Sequence, residues 1–395
     1  MKYDFDKIIN RKDTDSVKYD LLKPFFGSED IIPLWVADMD FEVPPFVREA
    51  VIERAKHEIY GYTIRPARFY ESIATWMKKR HNWDVKPSLI DFSPGVVPAL
   101  VLSVLAYTMP GDRILVQSPV YFPFFSSIEN HDRILVNNQL IDSEGVYSID
   151  FDDLEKKFSD GVKMMMFCHP HNPVGRAWTM EELTKLSELA IKYDVLILSD
   201  EIHSDLLLFG HRHIPLASLG PEIASRTITC IAPSKTFNLA GLHTSALVFE
   251  DGKLKKLYEK VLENIHVGGG NLFGFVALEA AYNYGEEWLK QLIQYLEGNF
   301  TFLAEYIEKE LPLVRLSKLE ATYLAWMNFE AIGLEDEELM KFMVETAGLA
   351  FLNGSRFGEG GEQYLRMNIA MPRSVLKEAL DKMSDAMGKA FPKKV

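Results

Sequence analysis

The chain reads as an α/β protein with a mostly parallel sheet covered by helices on both faces, plus a smaller α+β domain. Two observations carry that reading. From about residue 90 to 250, short apolar runs alternate with helix-length segments, as in strands buried on both faces and joined by crossover helices. Beyond residue 312 the alternation gives way to three strand-like runs and two helices. With 395 residues, 47% of them hydrophobic, the chain has room for two domains and a large core. The expected division is an N-terminal arm over 1–44 that belongs with the small domain, a large domain over 45–284, and a C-terminal small domain over 285–395.

Taken in order, residues 1–44 carry many turn residues and little periodicity, so they read as an arm lying over other structure. In it, residues 34–41 join a short apolar run to Asp38 and Asp40, which read as turn or cap residues. Pro44-Pro45 opens a helix to about Glu58, because proline is tolerated in a first turn. After the loop Tyr60-Gly-Tyr-Thr63 a second helix is expected near 67–80. Strands are then expected from Ile90, from Arg113, from Arg133, from Lys163, from Val195, over 227–231 and over 245–249. Helices are expected between them, among them one starting near Val96, one near 150–158 and one over about 179–193. Residues 253–311 read as helical, broken by the glycine run 268–270. The small unit shows strands at 323–329, 349–352 and 364–369, and helices at about 335–347 and 373–390.

A formal charge of −14 argues against sequence-independent nucleic-acid binding, which needs a basic face, and against an anionic membrane surface as partner. Two cysteines, Cys168 and Cys230, sit in apolar runs and make no disulfide framework, so a reducing cytoplasm is expected. The first six residues alternate charge with aromatics and lack an apolar signal region. The longest apolar stretch, 96–109, is too short to span a bilayer. Neither the Cys168, His169, His171 group nor the His203, His211, His213 group has a recognised ligand spacing, so no metal site is expected. The glycines at 268–270 lack the lysine of a P-loop and read as a loop near the site, with Asn271 a candidate contact.

Ligands of such sheets bind beyond the carboxyl ends of the strands. Collecting the residues just after each apolar run gives Ser93 and Gly95, Tyr121, His171 and Asn172, Asp200 and His203, and Ser234 and Lys235. Lys235 follows the run 227–231 directly, and a lysine there is costly to desolvate unless its amine is used, for example in a Schiff base with a carbonyl cofactor. Each neighbour then has a use if that cofactor is pyridoxal 5'-phosphate (PLP). Asp200, after four apolar residues, would pair with the protonated ring nitrogen. Asn172 can hydrogen-bond the ring oxygen, and Tyr121 can stack on the ring face. The phosphate would sit on the helix start at Gly95, Val96 and Val97, helped by Ser234, where free N–H groups and the helix dipole favour anions. Singly, each residue also has an ordinary structural reading as cap, turn or core. Their joint order is what points to a site.

Asn172-Pro-Val-Gly175, Ser199-Asp-Glu201 and Ser234-Lys-Thr-Phe-Asn238 resemble the ordered motifs of fold-type I PLP-dependent enzymes, the aspartate aminotransferase superfamily. The spacing is similar too, with 28 residues from Asn172 to Asp200 and 35 more to Lys235. The resemblance implies a PLP-dependent transferase-like large domain. It also implies that Arg366 holds the substrate α-carboxylate, with Ala37 and Asn172 beside it. More narrowly, Val36-Ala-Asp-Met-Asp-Phe41, Tyr60-Gly-Tyr-Thr63, Ser199-Asp-Glu-Ile-His-Ser-Asp205 and Ala321-Thr-Tyr-Leu-Ala-Trp326 resemble the MalY/PatB branch of cystathionine β-lyase-type C–S lyases. That branch implies His203 at the ring oxygen and Tyr62 reaching the phosphate of the partner subunit, hence a homodimer with shared sites. His243 stands where many aminotransferases place a phosphate-binding arginine, a departure the lyase branch shares. The expected reaction is α,β-elimination from an L-amino acid bearing sulfur at Cβ, with Lys235 as the base at Cα. The alternative is an aminotransferase, which needs the same residues.

Overall fold

The computed structural model describes residues 2–391. A seven-stranded sheet runs in the spatial order Ile90–Ser93, Ser245–Phe249, Thr227–Ile231, Leu196–Asp200, Val162–Cys168, Arg113–Val116, Ile134–Asn137. All strands are parallel except Ser245–Phe249, which runs antiparallel to both neighbours. The strand alternation therefore predicts the elements correctly, while the one reversal depends on how the chain re-enters the sheet.

Period-two alternation of side chains sorts the two faces. Ile114, Val116, Met164, Met166, Leu198, Ile228 and Leu247 pack with the helices Val96–Tyr107 and Gly252–Asn264. Leu115, Met165, Phe167 and Ile197 point the other way, onto Phe151–Ser159 and Met180–Lys192. Burying each such Leu, Ile or Met contributes about 1.5–3 kcal/mol, which is why the strands read as unbroken apolar runs. Helix Met180–Lys192 starts with a full capping box, Thr179 accepting from the Glu182 N–H and Glu182 accepting in return from the Thr179 N–H.

A third core joins the sheet end at Ile90, Phe92 and Val248 to the helices Pro45–Ala55, Ala67–His81, Leu272–Tyr284 and Glu286–Glu310. The last of these has 25 residues, about 37 Å of helix, and links the large sheet to a second, antiparallel one. The second sheet runs Arg315–Leu316, Leu324–Asn328, Tyr364–Asn368, Leu352–Asn353, with Asp336–Glu345 and Arg373–Ala390 beside it. The strand expected at 349–352 is instead two short pieces in different sheets. Leu349–Ala350 pairs in parallel with Ile32–Pro33 of the arm, and Leu352–Asn353 pairs with Tyr364–Asn368. A hairpin of Ile141–Ser143 and Val146–Ser148, absent from the sequence reading, turns at Glu144 and Gly145, both at positive φ.

Asp38 and Asp40 lie in bends but, beyond turning the chain, they accept from cations. Arg11 donates to Asp38 and to Asp40, each at 2.6 Å, and the fully buried Lys18 donates to Asp40 at 2.6 Å. This partly buried ionic cluster fastens the arm beside the carboxyl ends of the strands.

Candidate active site

The strand ends open into a cavity of about 570 Å³. Gly95, Val96, Val97, Tyr121, Asn172, Asp200, His203, Ser234, Lys235, Arg366 and Ala37 all line it. Of the expected site residues, Tyr62, Ser93 and His171 do not line it. Tyr62 is fully exposed in the loop before Ala67–His81 and does not reach the cavity. Asn271 does not line it either. Asn271 caps Leu272–Tyr284, accepting from the Phe273 and Gly274 N–H groups, and donates to the Leu242 carbonyl.

Lys235 rides on the short helix Pro233–Thr236 directly after its strand. Its amine donates to the Ala37 carbonyl at 2.6 Å, and the Tyr323 hydroxyl donates to the same oxygen at 3.0 Å. Burial, and then the Arg366 charge, lower the amine to about 8. Two neighbours hold this turn in place. Thr236 donates to Asp205, which also accepts from Trp76 and lies 3.2 Å from His81. Asn238, at φ 60°, exchanges hydrogen bonds with the Met39 backbone and donates to the Phe41 carbonyl. The arm is thus tied to the lysine segment across about 200 residues of chain.

Asp200 ends the adjacent strand, buried, with the Ile202 N–H as its side-chain partner at 3.1 Å. Burial without a paired cation pushes its carboxyl up to about 7. The neighbouring Glu201 faces the other way, accepting from Ser199, from the Leu216 N–H and from His213 at 2.7 Å. The Asp-Glu pair therefore divides into one carboxyl in the cavity and one in the core. His203 is buried with Nδ1 unpartnered, and burial brings it down to about 3, so the ring is neutral.

Arg366 comes from the second sheet, opposite Trp326 and Leu352. It donates to Asn172 Oδ1 and to the Trp35 carbonyl, both at 3.1 Å, and rests on the Phe357 ring at 5.1 Å. Its Nε is buried without a partner, and it makes no ion pair among the described residues. Burial lowers it to about 10. A buried guanidinium without an acid is costly unless a bound carboxylate completes it.

The residues fit a bound PLP. A buried acid lacking a cation, a neutral imidazole with a free nitrogen and a reactive lysine face one space. That space is bounded by the start of the twelve-residue helix Val96–Tyr107, whose first N–H groups have no partner within the helix. Among the described residues no group of His, Cys, Asp and Glu is arranged to hold a metal ion. What sequence reading missed is the wall supplied by Val17, Trp35, Leu352 and Arg356. Val17 and Trp35 lie in the arm, Leu352 in a two-residue strand and Arg356 in the turn Gly354–Phe357, where no periodic signal marks them.

This fold and site define an α/β enzyme scaffold with a buried lysine just beyond the carboxyl end of an interior strand, and residues 29–383 match the family aminotransferase class I and II, to which the chain belongs. Among its relatives is cystathionine beta-lyase PatB of Bacillus subtilis, 44% identical over 97% of this chain and 99% of that protein. A PLP-bound structure from Clostridium difficile 630 is 44% identical with a TM-score of 0.96, covering 98% of this chain and 100% of the other. Cystalysin from Treponema denticola, which contains PLP, is 35% identical with a TM-score of 0.95, covering 99% and 100%. No described helix is long and apolar enough to cross a membrane.

Proposed function

We propose that this chain is a PLP-dependent carbon–sulfur lyase of the cystathionine β-lyase type. It cleaves L-cystathionine or related S-substituted cysteines to a thiol, pyruvate and ammonia. The observation that carries this is the convergence of Lys235, Asp200, Asn172, His203 and Arg366 on one cavity, in a chain similar end to end to a cystathionine beta-lyase.

Lys235 would carry the cofactor, with Asp200 paired to the ring nitrogen and Asn172 and His203 at the ring oxygen. Tyr121 would lie against the ring, and the backbone of Gly95, Val96 and Val97 with Ser234 would hold the phosphate. Bound there, PLP supplies an electron sink for the pair left at Cα. Arg366, with Asn172 and Ala37 beside it, anchors the substrate α-carboxylate and so fixes which Cα bond faces Lys235. The freed Lys235 amine, already lowered by burial, takes the Cα proton as general base. The Cβ–S bond then breaks, the thiolate leaves with a proton, and the three-carbon remainder is hydrolysed to pyruvate and ammonia.

The working form is a homodimer in which Tyr62 of one subunit reaches the other's phosphate. The exposed Ile59, Tyr60, Tyr62 and Ile64 form an apolar strip that supports this. Division at 1–44, 45–284 and 285–395 is supported by the pairing of Ile32–Pro33 with Leu349–Ala350. Two buried free cysteines suit a reducing cytoplasm. Purified PLP-loaded protein, offered a panel of S-substituted cysteines, is expected to release pyruvate. Amino-group transfer to a 2-oxo acid with no pyruvate would replace the lyase reading by an aminotransferase.

A further inference from the structure

Two arginines line the cavity, and the mechanism uses one. Arg356 stands exposed at the mouth, its guanidinium 4.4 Å from the centre of the Phe122 ring, with no ion pair or hydrogen bond to a described residue. We propose that Arg356 is a specificity-determining residue that favours substrates whose sulfur substituent ends in a carboxylate. This deepens the lyase reading and rests on it.

The position of Arg356 is fixed by its surroundings. It lies in the turn Gly354–Phe357, where Asn353 Oδ1 accepts from both the N–H and the hydroxyl of Ser355. Gly354 is packed so closely that a Cβ there would lie 2.2 Å from the Gly361 carbonyl oxygen. The Val120 N–H donates to the Phe357 carbonyl at 2.9 Å, joining the turn to the loop that bears Tyr121 and Phe122.

The two cations therefore sit on one aromatic ridge. Arg366 rests on Phe357, Arg356 on Phe122, and those rings are 6.4 Å apart. A ligand with its α-carboxylate on Arg366 meets an apolar wall of Val17, Trp35 and Leu352, suited to sulfur and methylenes, and then a second positive charge. The two like charges sense each other, since Arg356 is among the groups that lower Arg366. A second carboxylate relieves that repulsion, whereas a neutral alkyl tail leaves Arg356 to solvent. At this exposed position, screened by solvent, an ion pair gives up to about a fivefold preference.

The test compares the holoenzyme, Arg356→Met and Arg356→Lys on two substrates of matched reach, S-(2-carboxyethyl)-L-cysteine and S-propyl-L-cysteine. The ratio of their kcat/KM values is expected to favour the carboxylate by up to about fivefold, mainly through KM. It should collapse in Arg356→Met and partly survive in Arg356→Lys. A ratio unchanged in Arg356→Met overturns the proposal. L-2-aminoadipate and L-norleucine, which have no sulfur to eliminate, are titrated in parallel by the absorbance of the bound cofactor. Loss of the aminoadipate preference in Arg356→Met supports the proposal, and its retention contradicts it. Absence of pyruvate from both cysteine derivatives would sink the lyase reading, while the titration ratio would still decide the role of Arg356.

Discussion

Lys235 has two determinants that act in the same direction, burial and the Arg366 cation, against weaker pulls from Asp38 and Asp200. Only the neutral amine attacks an aldehyde, so in cofactor-free protein the rate of PLP uptake should rise with pH. It should level off above about 8 rather than above the ordinary 10.5, as followed by stopped-flow absorbance. Replacing Arg366 by Leu removes a charge that depresses Lys235, so the midpoint should move upward. The same substitution removes the proposed carboxylate anchor and should lower kcat/KM by roughly 30-fold or more, the effect of truncating a buried charge partner. Arg366→Lys should recover only part of this, because a lysine lacks the two-pronged geometry. The residues at the strand ends were legible in the sequence because each directly follows an apolar run. Asp38, Asp40 and Lys18 were not, since two acids near a turn carry no mark of the cations 20 to 29 positions away that bind them. Glu201 was equally opaque, because which carboxyl of an adjacent pair faces the cavity is decided by strand direction and by His213.

Between elements, the site depends on contacts that fasten loops from different sheets. The loop carrying Asn172 is held through Gly175, whose φ is +73° and whose carbonyl accepts from the Glu320 and Ala321 N–H groups. A Cβ at Gly175 would lie 2.4 Å from Leu319 Cδ1, so Gly175→Ala combines backbone strain with overpacking. It should destabilise the protein by about 1–3 kcal/mol in urea denaturation and raise KM by displacing Asn172. Behind Lys235, Asp205 receives Thr236 and Trp76 and lies beside His81 and Arg80. Asp205→Ala leaves these donors buried and should cost about 3–5 kcal/mol. The strands and helices of the large sheet were readable from periodicity, because burial on both faces imposes it. The two-residue strands Ile32–Pro33 and Leu349–Ala350 were not, as segments that short have no period and are defined by their partner.

For the whole molecule, buried histidines set the response to acid. His169, His171 and His203 are lowered to about 3, 4 and 3 by burial, and His213 is lowered as well. They are neutral in the fold but protonated in the unfolded chain below 6.5, so their contribution is intact above that pH and is lost as pH falls toward about 4. Asp200 and Glu201, raised by burial, act in the opposite sense and offset part of it. The net expectation is an unfolding free energy that falls as pH drops from about 6.5 toward 4, measurable by denaturant titration. Assembly is the other property at this scale. In the proposed homodimer, placing a charge on the exposed strip, as in Ile64→Glu, should shift sedimentation from a dimer of 45.1 kDa chains to monomer and reduce activity together with it.

The lyase and aminotransferase readings part only after Lys235 has removed the Cα proton, and turnover without an amino acceptor reads that step directly. Holoenzyme is mixed with L-cystathionine in the absence of any 2-oxo acid, and pyruvate is counted per active site. Continuous release over many turnovers is the expected result. A single equivalent of 2-oxo acid followed by arrest, with activity restored on adding an acceptor, would contradict the lyase reading.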